Sequence, residues 1–200
     1  MSEEDPDGRR ERILAAAWRL FESLGYKGAT VEAIAKAAGI AKGSVYRFFA
    51  TKDEVLYALV EGAGEAMGRS ADALLAGAKG GVADIVRDYI GSVLAYRDQY
   101  RVYRALVFEA KALGTPAAAE AVARLDRRFE AELARMLAAF AERGVIAPCD
   151  CEAVSVAVLE AYSGLVAHRD AEGRPLPEER IKAVMGSLLC GGLLGGPGII

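Results

Sequence analysis

Lys42, Ser44, Tyr46 and Arg47 fall within six consecutive residues, around Gly43. All four are donors. An ammonium and hydroxyls suit phosphate oxygens, and a guanidinium matches the two acceptors that guanine shows in the major groove. Gly43 has no side chain to hold a partner's backbone away. The chemistry this predicts is recognition of duplex DNA. For catalysis the chain is poorly equipped. His168 is its only histidine, and no matched serine or cysteine motif accompanies it. The glycine pairs at 80–81 and 191–192 follow no strand, so neither reads as a phosphate loop. We expect no enzyme activity and no cofactor.

Such donors reach a groove only when one helix carries them and others support it. Thr30 can cap a helix over Val31–Ala38, with Glu32 in the first turn, where the dipole favours an anion. Gly39 permits the positive φ of a tight turn. A second helix then begins near Ala41 or Lys42 and closes by Ala50. Ala35 is small where the two helices must approach, and Ile34, Ile40, Val45 and Phe49 are apolar where the pair needs support. The support is a helix over Arg9–Leu24, with Ile13, Leu14, Ala17, Leu20, Phe21 and Leu24 on one stripe. Gly25 is expected to end it as a left-handed residue, and Trp18 is read as packing. The pattern is a helix-turn-helix. An ordinary helical hairpin has the same outline, but the charge distribution favours DNA. Residues 1–7 hold four acidic groups and no basic one, whereas residues 8–52 hold nine Lys/Arg against Glu11, Glu22 and Glu32. The overall formal charge of −3 thus hides a basic N-terminal block.

Beyond it, Thr51 and Glu54 form a capping box that starts a long helix to about Ala76. Further helices are predicted at 82–97, 100–113, 117–143, 152–169 and 178–191, with Thr115-Pro116, Gly144 and Asp150 as start and stop signals. The fold class is all-α: a three-helix head over residues 8–54 and a helical effector-binding and dimerisation body over 55–195.

The run Lys42-Gly-Ser-Val-Tyr46, the following Phe-Phe and Thr51-Lys52-Asp53-Glu54 resemble the signature of the TetR-type (tetracycline-repressor-like) regulators. Thr30-Val-Glu-Ala-Ile-Ala and Ala-Gly-Ile match as well, so the likeness in motif covers about residues 9–60. The resemblance implies a homodimeric repressor that binds a palindromic DNA operator and is released by a small-molecule effector. It implies phosphate contacts from Thr30, Lys42, Tyr46 and Lys52, and a position nearest the bases for Gly43, Ser44 and Arg47. The chain departs from the pattern at Arg47, where an aromatic is usual, and at Phe48, where His or Tyr is common. The alternative reading is a helical small-molecule- or lipid-binding protein whose hairpin does not bind DNA.

Most body aromatics read as core. Leu125, Phe129, Leu133, Met136, Leu137 and Phe140 keep a helical 3–4 spacing. Ligand contacts are assigned weakly to Tyr96, Tyr100, Tyr103, Arg104, Phe108, Glu109, Phe129, Tyr162 and His168, because an apolar cavity needs a few polar groups. His168 also suits a helix C-terminus. Cys149, Cys151 and Cys190 supply no four-ligand set, so no metal is expected. Three free thiols and a polar start predict a cytoplasmic protein with no membrane partner. Ala183–Ile200 is uncharged, but its glycines and Pro197 make it a helix end followed by a tail. The last two helices carry Ser155, Val158, Leu159, Tyr162, Leu165 and Val166, then Ile181, Val184, Met185, Leu188 and Leu189. That is more apolar surface than one body covers, so self-association through them is expected.

Overall fold

The computed structural model describes residues 6–77, 97–144 and 146–194. Its helices are α1 Pro6–Gly28, α2 Val31–Ala38, α3 Lys42–Tyr46, α4 Lys52–Gly77, α5 Arg97–Leu113, α6 Pro116–Glu142, α7 Cys151–Ala167 and α8 Glu178–Leu194. The helix predicted at 82–97 lies outside the described residues but for its last position. Among the described residues there is no strand, only an isolated bridge between Arg169 and Pro175. No described helix is long and apolar enough to cross a membrane.

The caps form as the residue types require. Thr30 Oγ1 accepts from Ala33 N at 3.1 Å, and Asp150 Oδ1 from Ala153 N at 3.0 Å. Thr51 Oγ1 accepts from Glu54 N at 3.1 Å, while Glu54 reaches back to Ala50 N at 2.7 Å. The box is therefore closed one residue earlier than the usual pattern. Thr115 departs from its predicted role, since its buried hydroxyl finds no partner.

Three boundaries differ from expectation. Gly25 has φ 72 and ψ 171, which is an extended positive-φ bend instead of a left-handed cap, and helical bonding resumes beyond it to Gly28. α3 closes at Tyr46, because Phe48 N and Phe49 N both turn onto Val45 O, and Phe49 goes into the core. α8 continues through Gly191 and Gly192 to Leu194, so that pair does not stop it.

The described residues divide into two compact units. The first takes the chain up to Ala63 together with Asp98–Arg124. Its core gathers Ile13, Ala17 and Phe21 from α1, Ile34 from α2, Val45 from α3, Val55 and Leu56 from α4, and Leu106 and Val107 from α5. The head thus folds with part of the chain that the sequence assigns to the body. The second unit takes Gly64–Arg97 and the chain from Leu125 on. Ala71, Leu133, Met136, Leu137, Phe140 and Ile146 form its core, with Val154, Val158, Cys149 and Cys151 packed against them. The α6 stripe is thus core at four of its predicted positions. Leu125 and Phe129 are only half-buried.

Candidate nucleic-acid interface

The turn between α2 and α3 fixes how the donors are presented. Gly39 has φ 69 and ψ 31, its N–H bonds to Lys36 O, and Ile40 N bonds to Ala35 O at 3.0 Å. These are the two bonds of a Schellman motif, and they need a residue that tolerates positive φ. α3 then lays Val45 on the core, nearly inaccessible, and leaves Lys42, Gly43, Tyr46 and Arg47 exposed, with Ser44 half-buried. A Cβ added at Gly43 meets nothing within 4 Å. The head's own packing therefore does not require glycine there.

Two of the candidate cations are already engaged within the head. Lys42 forms an ion pair with Glu32 of α2 and lies 5.9 Å from the Tyr46 ring centroid. The hydrogen bond to Glu32 is the main cause that raises the Lys42 pKa. The sequence assigns Glu32 only to the helix dipole. The three-residue turn brings it to Lys42, a tertiary neighbour that helical periodicity along α2 does not reveal. Lys52 Nζ donates to Tyr26 O at 2.7 Å and Ala29 O at 2.9 Å, and it sits 4.1 Å from the Tyr26 ring centroid. Burial is the main cause that lowers its pKa. Two of its three donors thus hold the α1–α2 connection, whose end is Thr30.

Sequence reasoning missed the network below this surface. The bend at Gly25 frees the N–H groups of Tyr26 and Lys27 from helical bonding. The Glu109 carboxylate, 5% exposed, accepts both, with Lys27 N at 3.3 Å. Tyr26 donates its hydroxyl to Asp53, and its ring lies 5.5 Å from that of Phe21. Burial, then the Asp53 bond, pushes the Tyr26 hydroxyl well above its ordinary range. The sequence places Glu109 among ligand contacts, but both of its oxygens are engaged on backbone. A glycine followed by an aromatic at a helix end was the available signal. The partner 83 residues on was not.

The remaining ligand candidates separate by unit. Tyr103 is buried and Phe108 exposed, both on α5 in the first unit. Phe129 is half-buried, Tyr162 buried and His168 exposed, all in the second. His168 closes α7, its backbone N–H bonded to Gly164 O. Tyr100 and Arg104 lie on α5, and Tyr96 is outside the described residues. Among the described residues no group of three or more His, Cys, Asp or Glu is arranged to hold a metal ion.

A helix-turn-helix with an exposed row of donors and a basic head defines a DNA-binding regulator. Residues 13–59 match the family of bacterial regulatory proteins, tetR family. HTH-type transcriptional regulator YhgD of Bacillus subtilis is 25% identical over 88% of this chain and 92% of its own. The crystal structure of TetR family transcriptional regulator PfmR from Thermus thermophilus is 25% identical, with a TM-score of 0.62 over 92% of this chain and 98% of that one. AibR, solved in complex with isovaleryl coenzyme A and operator DNA, has the same fold at 20% identity, with a TM-score of 0.57 over 90% of this chain and 97% of its own. The tetR-family match thus covers the helix-turn-helix head, and over most of its length the chain is similar to TetR-family transcriptional regulators.

Proposed function

We propose that the protein is a homodimeric repressor that places two copies of α3 in successive major grooves of a palindromic operator and is released by a small-molecule effector. The observation that carries this is the exposed row Lys42, Gly43, Tyr46 and Arg47, set on a helix whose opposite face is buried. AibR, with its thioester ligand and operator, supports both halves of the reading. Thr30, Lys42, Tyr46 and Lys52 take phosphates, and Gly43, Ser44 and Arg47 lie nearest the bases. Exposed Val156, Val184 and Leu188 on α7 and α8 support a dimer formed through these helices. α4 contributes residues to both units, so it is the natural lever between effector and head. Ligand-linked coupling of this kind typically amounts to about 1–3 kcal/mol.

Operator binding measured by anisotropy over a salt series tests the assignment. Lys42→Ala is expected to weaken binding to all duplexes and to flatten the logarithmic salt slope by about one unit. Arg47→Ala is expected to relax preference at one base position per half-site, at about 1–3 kcal/mol there. Identical operators selected by Arg47→Ala and the parent would move Arg47 to the phosphate class. Gly43→Ala is expected to leave the head as stable or more so, by about 0.5–1 kcal/mol, while weakening DNA binding. A destabilised head with parental affinity would show that Gly43 serves the fold. Isovaleryl coenzyme A is the first effector probe, read as loss of operator affinity.

A further inference from the structure

Cys149 and Cys151 stand on either side of Asp150 at the start of α7, and operator binding uses neither. Both are free and half-buried, and their sulfurs lie 3.8 Å apart. The backbone makes this contact. Asp150 has φ −73 and ψ 90, near the inverse γ-turn bend, which folds its two neighbours towards each other. Cys151 Sγ also donates to Cys149 O at 3.5 Å. Both side chains rest on the core of the second unit. A disulfide needs its sulfurs at about 2.05 Å, a further closing of about 1.8 Å.

We propose that Cys149 and Cys151 are an oxidisable dithiol, a site where a hydroperoxide closes a reversible disulfide across Asp150. One sulfur attacks the peroxide and becomes a sulfenic acid, releasing water. The other thiol then displaces the sulfenic oxygen as a second water and forms the S–S bond. Two thiols lose two protons and two electrons, and hydrogen peroxide takes up both and is reduced to two waters. Burial pushes the Cys149 thiol up, which disfavours it as the sulfur that attacks the peroxide. A ring closed across one intervening residue is strained, and strained disulfides are the readily reduced ones.

The modification changes the helix start because Asp150 lies inside the ring. Its side chain holds Ala153 N, and its carbonyl accepts from Val154 N at 2.9 Å. These are first-turn donors of α7, the helix proposed to contribute to self-association. The chemistry itself does not depend on that proposal.

The test treats the full chain with hydrogen peroxide, alkylates the free thiols and maps the peptides by mass. Free thiols are expected to fall from three to one, with the peptide holding Cys149 and Cys151 lighter by two hydrogens. Dithiothreitol is expected to restore all three. Cys190→Ser is expected to keep the reaction and Cys149→Ser to abolish it. Amide exchange at Ala153 and Val154 is expected to quicken in the oxidised form. A disulfide to Cys190, an intermolecular disulfide, or a sulfinic acid on one cysteine with its neighbour free would overturn the dithiol. Unchanged exchange in a protein carrying the mapped disulfide would overturn the effect on α7.

Discussion

Leu188→Glu is expected to yield a monomer that has lost most of its affinity for a full operator although its head is intact. Leu188 is 53% exposed on α8, Val184 on the same helix 37%, and Val156 on α7 44%. Large aliphatic side chains left open on the last two helices are the pattern of a surface completed by a symmetry mate. Obligate interfaces of this type bury about 2,000 Å² or more in total, so a carboxylate near the centre removes apolar area and adds an unpaired charge. Two heads bound to one palindrome share one association event. Losing the pairing therefore costs affinity by orders of magnitude without touching a DNA contact. Mass measurement by sedimentation, beside an anisotropy titration, reads both effects. A soluble dimer of Leu188→Glu would place the interface elsewhere.

The second large effect is on stability. Gly25→Ala is expected to destabilise the head severely for two separable reasons. At φ 72 and ψ 171 the backbone occupies a region open almost only to glycine, at a cost of about 1–3 kcal/mol for another residue. The added Cβ also collides with Glu109 Oε1, the acceptor for the Tyr26 and Lys27 amides. Hydrogen bonds to a charged group contribute about 1.5–3 kcal/mol, so Glu109→Ala alone is expected to cost that much. The two substitutions share partners and are expected not to add. In the Glu109→Ala background, Gly25→Ala loses its clash and retains only the backbone cost. Denaturant unfolding of the four proteins checks this. Strict additivity would show that Glu109 and Gly25 act independently.

How much could be read from the chain follows the range of the interactions. α2, its Gly39 turn and the start of α3 were legible because caps and positive-φ glycines are local decisions. Ile34, Ala35, Val45 and Phe49 were legible as core because one face of a short amphipathic hairpin can turn only one way. The Glu32–Lys42 pair, the Lys52 tie to Tyr26 O and Ala29 O, and the Glu109 anchor were not. Each joins residues from different helices, and each is polar, so the hydrophobic period carries no trace of it. The same limit explains Gly25. Sequence marks a glycine break, but ψ is set by Glu109 waiting for the freed amides. It also explains why a ligand site could be named only as aromatics with polar neighbours, from both units.

Glu32 holds the ammonium that Lys42 is proposed to offer a phosphate, so Glu32→Gln is expected to strengthen binding to all duplexes alike, with no change in the preferred operator. Loss of affinity or an altered operator would show that the pair orients Lys42 instead of masking it.

The head is proposed to read duplex DNA as a symmetric pair. Selection of bound duplexes from a random pool by the full-length protein tests it most directly. An enriched palindrome is expected, with half-site centres about 34–36 Å apart, one turn of the double helix. Enrichment that tracks Arg47→Ala at one position per half-site would complete it. Failure to enrich any duplex at low salt, or enrichment of a lone half-site by a dimer of confirmed mass, would contradict it.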